Sequence, residues 1–122
     1  MIILSKMVCT ICIICIGVKN NMKSNWEEAC QKVADNLVTV LISKQRDYGK
    51  NNILDFGEYG ILVRINDKVS RLKNLAKNQT EPKNESIDDT WTDVAGYAVL
   101  AKMVREGSFE LPFEEDVDND DD

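Results

Sequence analysis

Three stretches of this chain repeat apolar residues at the three- and four-residue spacing of an α-helix, and short breaks rich in Gly and Asn separate them. In the first, Trp26, Cys30, Val33, Leu37 and Leu41, with Ala34 and Val38 beside them, form one broad stripe reaching Gln45, with Cys30 at a core-like position. Ser24 followed three residues later by Glu27 has the pattern of a capping box and predicts the start of that helix. Gly49, in DYGKNN, predicts its end. In the second, Leu62, Ile65, Val69, Leu72 and Ala76 lie on one side, while Arg64, Asp67, Lys68 and Arg71 lie together on another. The third starts near Asn84 or Ser86 and runs to about Glu106, where Gly107 ends it; Ile87, Trp91, Val94, Ala98 and Ala101 define its main buried face. The segment NNILDFGEYG holds two glycines and no clean period, which predicts a structured loop, and NQTEPKNE is a turn-rich connector. No stretch alternates as a strand does. The expected class is therefore all-α, a small bundle of three main helices. Three helices make a thin core, so completion by a homodimer or higher homo-oligomer is expected.

At 122 residues the chain has room for one core. We divide it into an apolar extension (1–21), a single helical domain (22–111) and an acidic, disordered tail (112–122). Three readings compete for the extension: a weak signal or anchor, a buried strand, or translated upstream sequence. Its apolar run is short for a membrane span, and Met22 opens MKSNWEEAC just ahead of the helix start, which favours the third. Cys9, Cys12 and Cys15 are spaced C-x-x-C-x-x-C but sit among Ile and Val with no fourth ligand at suitable spacing, so they read as apolar residues rather than a cluster site.

The formal net charge is -6, which argues against a general binder of duplex nucleic acid or anionic membranes. The closing EEDVDNDDD carries seven of the 21 acids, however, and the remaining body is close to neutral, leaving room for a local basic pocket. The absence of histidine excludes imidazole-based nucleophile activation and imidazole metal ligands. Oxygen ligands alone would suit magnesium or manganese.

The third helix poses the sharpest chemical question. Glu85, Asp89 and Asp93 follow one another at four-residue steps, and the same stripe continues as Gly96, Leu100 and Met103, so this side is expected to be covered. Acids near a helix N-terminus complement the macrodipole, which accounts for Glu85 and Asp88. Asp93 lies about two turns in, beyond that effect. Covered carboxylates one turn apart need a cation between them: a magnesium ion, or a paired side chain such as Arg64, Lys68 or Arg71. Lys44 and Arg46, with the basic residues of the second helix, concentrate positive charge in a way that suits phosphate. Tyr48 offers a face for stacking, and Asn51, Asn52 and Asp55 offer polar edges. Gly49 and Gly57 permit positive φ.

DYGKNNI (47–53), FGEYGILVRINDKVSRLKNL (56–75) and NESIDDTWTDVAGYAVLA (84–101) resemble the nucleotide modification associated domain 1 family. That resemblance implies an association with nucleotide or DNA-base modification, a phage or prophage origin and a location in the bacterial cytoplasm. A weaker resemblance is to all-α nucleotide pyrophosphohydrolases of the MazG type, which hold magnesium with E-x-x-E and E-x-x-D pairs. Asp93 falls at the Asp position of the second pair, but Thr90 stands where its Glu would be, and Asp67 stands alone where the first pair would lie. The expected activity is nucleotide binding. Glu58, Asp67, Asp89 and Asp93 are the candidate magnesium ligands, and Asp89, Asp93 and Glu58 would carry catalysis if a nucleoside triphosphate is hydrolysed. Lys44, Tyr48, Asn52, Arg64, Lys68, Arg71 and Asn84 are the candidate contacts to the nucleotide. Two alternatives stay open: a nucleotide-sequestering or regulatory protein without turnover, and a structural helical module in which the acids form salt bridges.

Overall fold

The computed structural model describes residues 25–114, which form four helices and no strand. These are α1 (Trp26–Tyr48), the one-turn α2 (Asn51–Leu54), α3 (Gly57–Asn78) and α4 (Ile87–Glu106). The three long helices fall where the periodicity predicted them. The segment 51–60, expected as a loop, instead contains α2 and the first turn of α3. The cysteine-rich N-terminal segment, Ser24 and most of the acidic tail lie outside the described residues. Among the described residues no helix is long and apolar enough to cross a membrane.

Backbone contacts divide the chain into residues 1–36 and 37–122. The described part of the first unit is the opening of α1. Its cap is Asn25, whose Oδ1 accepts from the Glu28 N–H at 2.9 Å, so the helix is closed at its front by a residue other than the predicted Ser24. Trp26, Cys30 and Val33 are exposed here, so Cys30 is not a core residue.

The second unit holds the core: Ile53, Ile61, Leu100 and Phe109 are buried, and Leu41, Ile65, Tyr97 and Met103 pack around them. Helix α3 lies antiparallel to α4, since Glu58 at the start of α3 meets Arg105 at the end of α4 while Arg71 reaches the start of α4. Helix α1 crosses α4 at Gly96, where an added Cβ would lie 3.4 Å from the Leu41 side chain. Gly49 ends α1 at φ 75°, a conformation L side chains rarely adopt, and turns the chain directly into α2. The segment after α4 is fastened back onto this turn: Lys50 Nζ donates to the Glu110 and Leu111 carbonyls, and Arg46 stacks 4.4 Å over the Phe113 ring.

The periodicity located α4 correctly, and of the face it predicted as buried Val94 is partly covered and Ala101 packs on the core. Thr90, Gly96 and Leu100 are its buried residues, whereas Ile87, Trp91 and Ala98 are exposed. Of the acid-bearing stripe, expected to be covered, Gly96 and Leu100 are buried and Glu85, Asp93 and Met103 partly so, but Asp89 is exposed.

Candidate functional site

Lys44 comes from α1, Lys68 from α3 and Asp93 from α4, and the three meet at one wall of a cavity of about 360 Å³. Lys44 Nζ donates to Asp93 Oδ1 at 2.8 Å, and Lys68 Nζ lies 2.8 Å from Asp93 Oδ2. Lys68 also reaches Glu85 Oε2 at 3.1 Å, so one ammonium stands between two carboxylates. Asp93 is only 14% exposed. Burial alone pushes its carboxyl upward, yet the hydrogen bonds from Lys44 and Lys68 outweigh that and hold it at about 2. The same hydrogen bonds raise both lysines above their ordinary values against the opposing pull of desolvation.

The rest of the cavity wall is suited to a ring system and its polar edge. Gln45, one of two buried polar residues among those described, donates from Nε2 to the Gly49 carbonyl and to Asn52 Oδ1, the latter at 2.9 Å. Asn52 is thereby fixed with its own amide N–H groups left to donate. Arg64 donates to the Asn52 carbonyl at 3.2 Å and lies 6.0 Å over the Tyr97 ring. Tyr48 stands exposed at the mouth, and Leu37, Leu41 and Leu100 supply the apolar floor.

Of the predicted nucleotide contacts, Lys44, Tyr48, Asn52, Arg64 and Lys68 share this cavity, whereas Arg71 and Asn84 are not part of its lining. Arg71 is committed elsewhere: its guanidinium donates to Thr90 Oγ1 and to the Glu85 carbonyl, fastening the chain ahead of α4 onto α3. Gln45 and Tyr97 were missed. Gln45 had a signal in the sequence, an amide on the apolar stripe one turn after Leu41; Tyr97 had none apart from its helix.

The proposed set of four magnesium ligands is not brought together. Glu58 pairs with Arg105 at 3.1 Å, and Asp67 is exposed. Asp89 turns back to the helix cap, its N–H donating to Ser86 Oγ at 3.0 Å while the Ser86 hydroxyl donates to its carboxylate. Among the described residues no group of three or more metal-binding side chains is placed to hold an ion. The carboxylates that do share the cavity are Asp93 and Glu85, and Lys68 supplies the positive charge between them. Thr90 is fully buried, donating to the Ser86 carbonyl at 3.1 Å and accepting from Arg71, so that position closes a helix cap.

Fold and site together define a small all-α domain with a cavity whose polar wall mixes lysine, arginine, carboxylate and amide groups. The chain belongs to the nucleotide modification associated domain 1 family, whose family model matches residues 44–104. Every polar cavity residue named above lies within that match, and the family's description associates the domain with nucleotide modification. No curated protein matches the chain, and no solved structure does.

Proposed function

We propose that the cavity binds a nucleotide, with the phosphates at Lys44 and Lys68 and the base toward Gln45, Asn52 and the tyrosines. The observation that carries this reading is the cavity itself: two ammonium groups and a guanidinium, drawn from two different helices, border one space together with an amide pair and two aromatic rings. Lys44 is half exposed and can leave Asp93 for a phosphate without crossing packed side chains. Asp93 then acts as the positioning group that keeps both ammonium groups together before the ligand arrives.

Magnesium enters this reading with the ligand. A triphosphate brings the ion most of its oxygens, and such an ion needs only one or two carboxylates from protein. Asp93 and Glu85 would supply them as Lys68 turns to the phosphates. If the bound triphosphate is hydrolysed, these are the carboxylates placed to serve the metal and the attacking water.

The test is isothermal titration of the full chain with a panel of canonical and base-modified nucleoside mono- and triphosphates, with and without magnesium, beside an assay for released pyrophosphate. Saturable binding that Lys44→Ala weakens about tenfold or more is expected, as befits loss of a charge-assisted contact. Binding without pyrophosphate release assigns a sequestering or regulatory role. No heat with any nucleotide, with or without magnesium, overturns the reading.

A further inference from the structure

The base end of the cavity has a hydrogen-bonding polarity fixed from one backbone carbonyl. The Gly49 carbonyl can only accept, so the Gln45 atom that meets it is Nε2. The same Nε2 lies 2.9 Å from the Asn52 amide, and the atom there has to be an acceptor, Oδ1. Neither amide can turn over without setting donor on donor or acceptor on acceptor. Gln45 is left with Oε1 and Asn52 with Nδ2, and no described residue bonds to either atom. Gln45 is only 8% exposed and Asn52 is half-buried, yet among the described residues no sealed side-chain polar atom lacks a partner. Both leftover atoms therefore open onto the cavity that the two residues line.

Asn52 is the middle member of a series. Its backbone carbonyl accepts from Arg64 at 3.2 Å, and its side chain accepts from Gln45. Arg64, held 6.0 Å over the Tyr97 ring, has no carboxylate partner among the described residues, so the rest of its guanidinium stays available to donate. Asp93 and Glu85, the carboxylates of the cavity, are engaged by the lysines. Along Arg64, Asn52 and Gln45 the wall thus presents donor, donor, acceptor. The complementary edge is acceptor, acceptor, donor. Among the common bases cytosine carries that order: a carbonyl, a bare ring nitrogen and an amino group. Uracil, thymine and guanine have a ring N–H in the middle, facing the Asn52 N–H, and adenine has no carbonyl for Arg64.

We propose that the cavity selects a cytosine-type base, a 4-amino-2-oxopyrimidine, with its carbonyl at Arg64, its bare ring nitrogen at Asn52 Nδ2 and its amino group at Gln45 Oε1. The inference rests on the nucleotide reading above and names the base within it. Asn52 is then the residue that decides specificity, because the ring position it faces accepts in cytosine and donates in uracil.

Titration of the full chain with deoxycytidine, deoxyuridine, deoxyadenosine and deoxyguanosine triphosphates in the presence of magnesium tests it. The first two match in charge and nearly in size, so the ratio of their affinities reports the base edge alone. The cytosine nucleotide is expected to bind at least about tenfold tighter, since the uracil nucleotide loses a hydrogen bond and sets donor on donor. Asn52→Asp turns the middle donor into an acceptor; helical circular dichroism should stay as in the parent while the ratio falls to about one or reverses. The ratio in the parent decides the matter even where the variant fails to fold. A parent ratio near unity, tighter binding of another base, or a folded Asn52→Asp variant that weakens both pyrimidines equally overturns this inference and leaves nucleotide binding standing. No binding of any of the four overturns the nucleotide reading and this inference with it.

Discussion

Asp93 is the residue whose position in the sequence asked for an explanation, because it lies too deep in α4 for the helix dipole to account for it. The structure answers with two ammonium groups. Of the partners proposed from helix periodicity, Lys68 takes the role and Arg64 and Arg71 do not; Lys44, which joins it, was legible as a basic residue near the end of α1 but not as a neighbour of Asp93. Pairing across three helices depends on how they are rotated against one another, which periodicity leaves open. Asp93→Asn keeps the shape and removes the charge. Lys44 can then turn to solvent and Lys68 keeps Glu85, so the cost should be about 2 kcal/mol, below that of stranding a fully buried ion. The pH dependence follows from the lowered carboxyl. Its ordinary value is about 3.9 and its folded value about 2, so its contribution is complete above about pH 4 and is lost as pH falls through 2. Urea melts of parent and Asp93→Asn should therefore differ by a constant amount near neutrality and converge in strong acid. A difference that widened in acid would contradict the ion pairing.

At the scale of elements, the sequence was most informative about where helices lie and least about which way they face. Helix α4 shows why. Ile87, Trp91 and Ala98 form one apolar line and Gly96, Leu100 and Met103 another, and a periodicity of 3.6 residues fits both. What decides between them is a set of polar contacts invisible to any hydrophobic pattern, Arg71 to Thr90 above all. Thr90→Val preserves the volume while leaving the guanidinium short of an acceptor, and the Ser86 carbonyl keeps only the backbone N–H of residue 90 as donor. It should cost about 1–3 kcal/mol in urea melts and speed amide exchange in the first turn of α4. Unchanged exchange there would show that the cap stands without Thr90. The mistaken loop at 51–60 has a similar origin: a one-turn helix is too short to show a period, and Gly57 reads equally as loop or as helix start.

Across the whole molecule, the second unit rests on four buried apolar side chains, and Phe109 comes from beyond the last helix. The all-α class and the expectation of a thin core were both readable from length and pattern. The contribution of the 108–114 segment was not, because its few apolar residues follow no period. Phe109→Ala should cost about 3–5 kcal/mol, a large share of the 5–15 kcal/mol typical of a domain. A thermal melt followed by circular dichroism should show either a strongly lowered transition or no folded baseline. A shift of only a degree or two would mean that the segment is peripheral to the core.

The alternating series Lys44, Asp93, Lys68, Glu85 sums to no net charge, so Arg64 gives the cavity wall a single surplus positive charge, and this near-neutrality constrains whatever the cavity admits. An anion that draws away either ammonium leaves a carboxylate uncompensated in a partly desolvated place. Asp93 stays ionised down to about pH 2 only while both lysines hold it. Entry of a multiply charged guest is thus an exchange: a proton or a cation must come in with it, and occupancy of the cavity becomes linked to the ionic composition of the surrounding solution as much as to the shape of the guest.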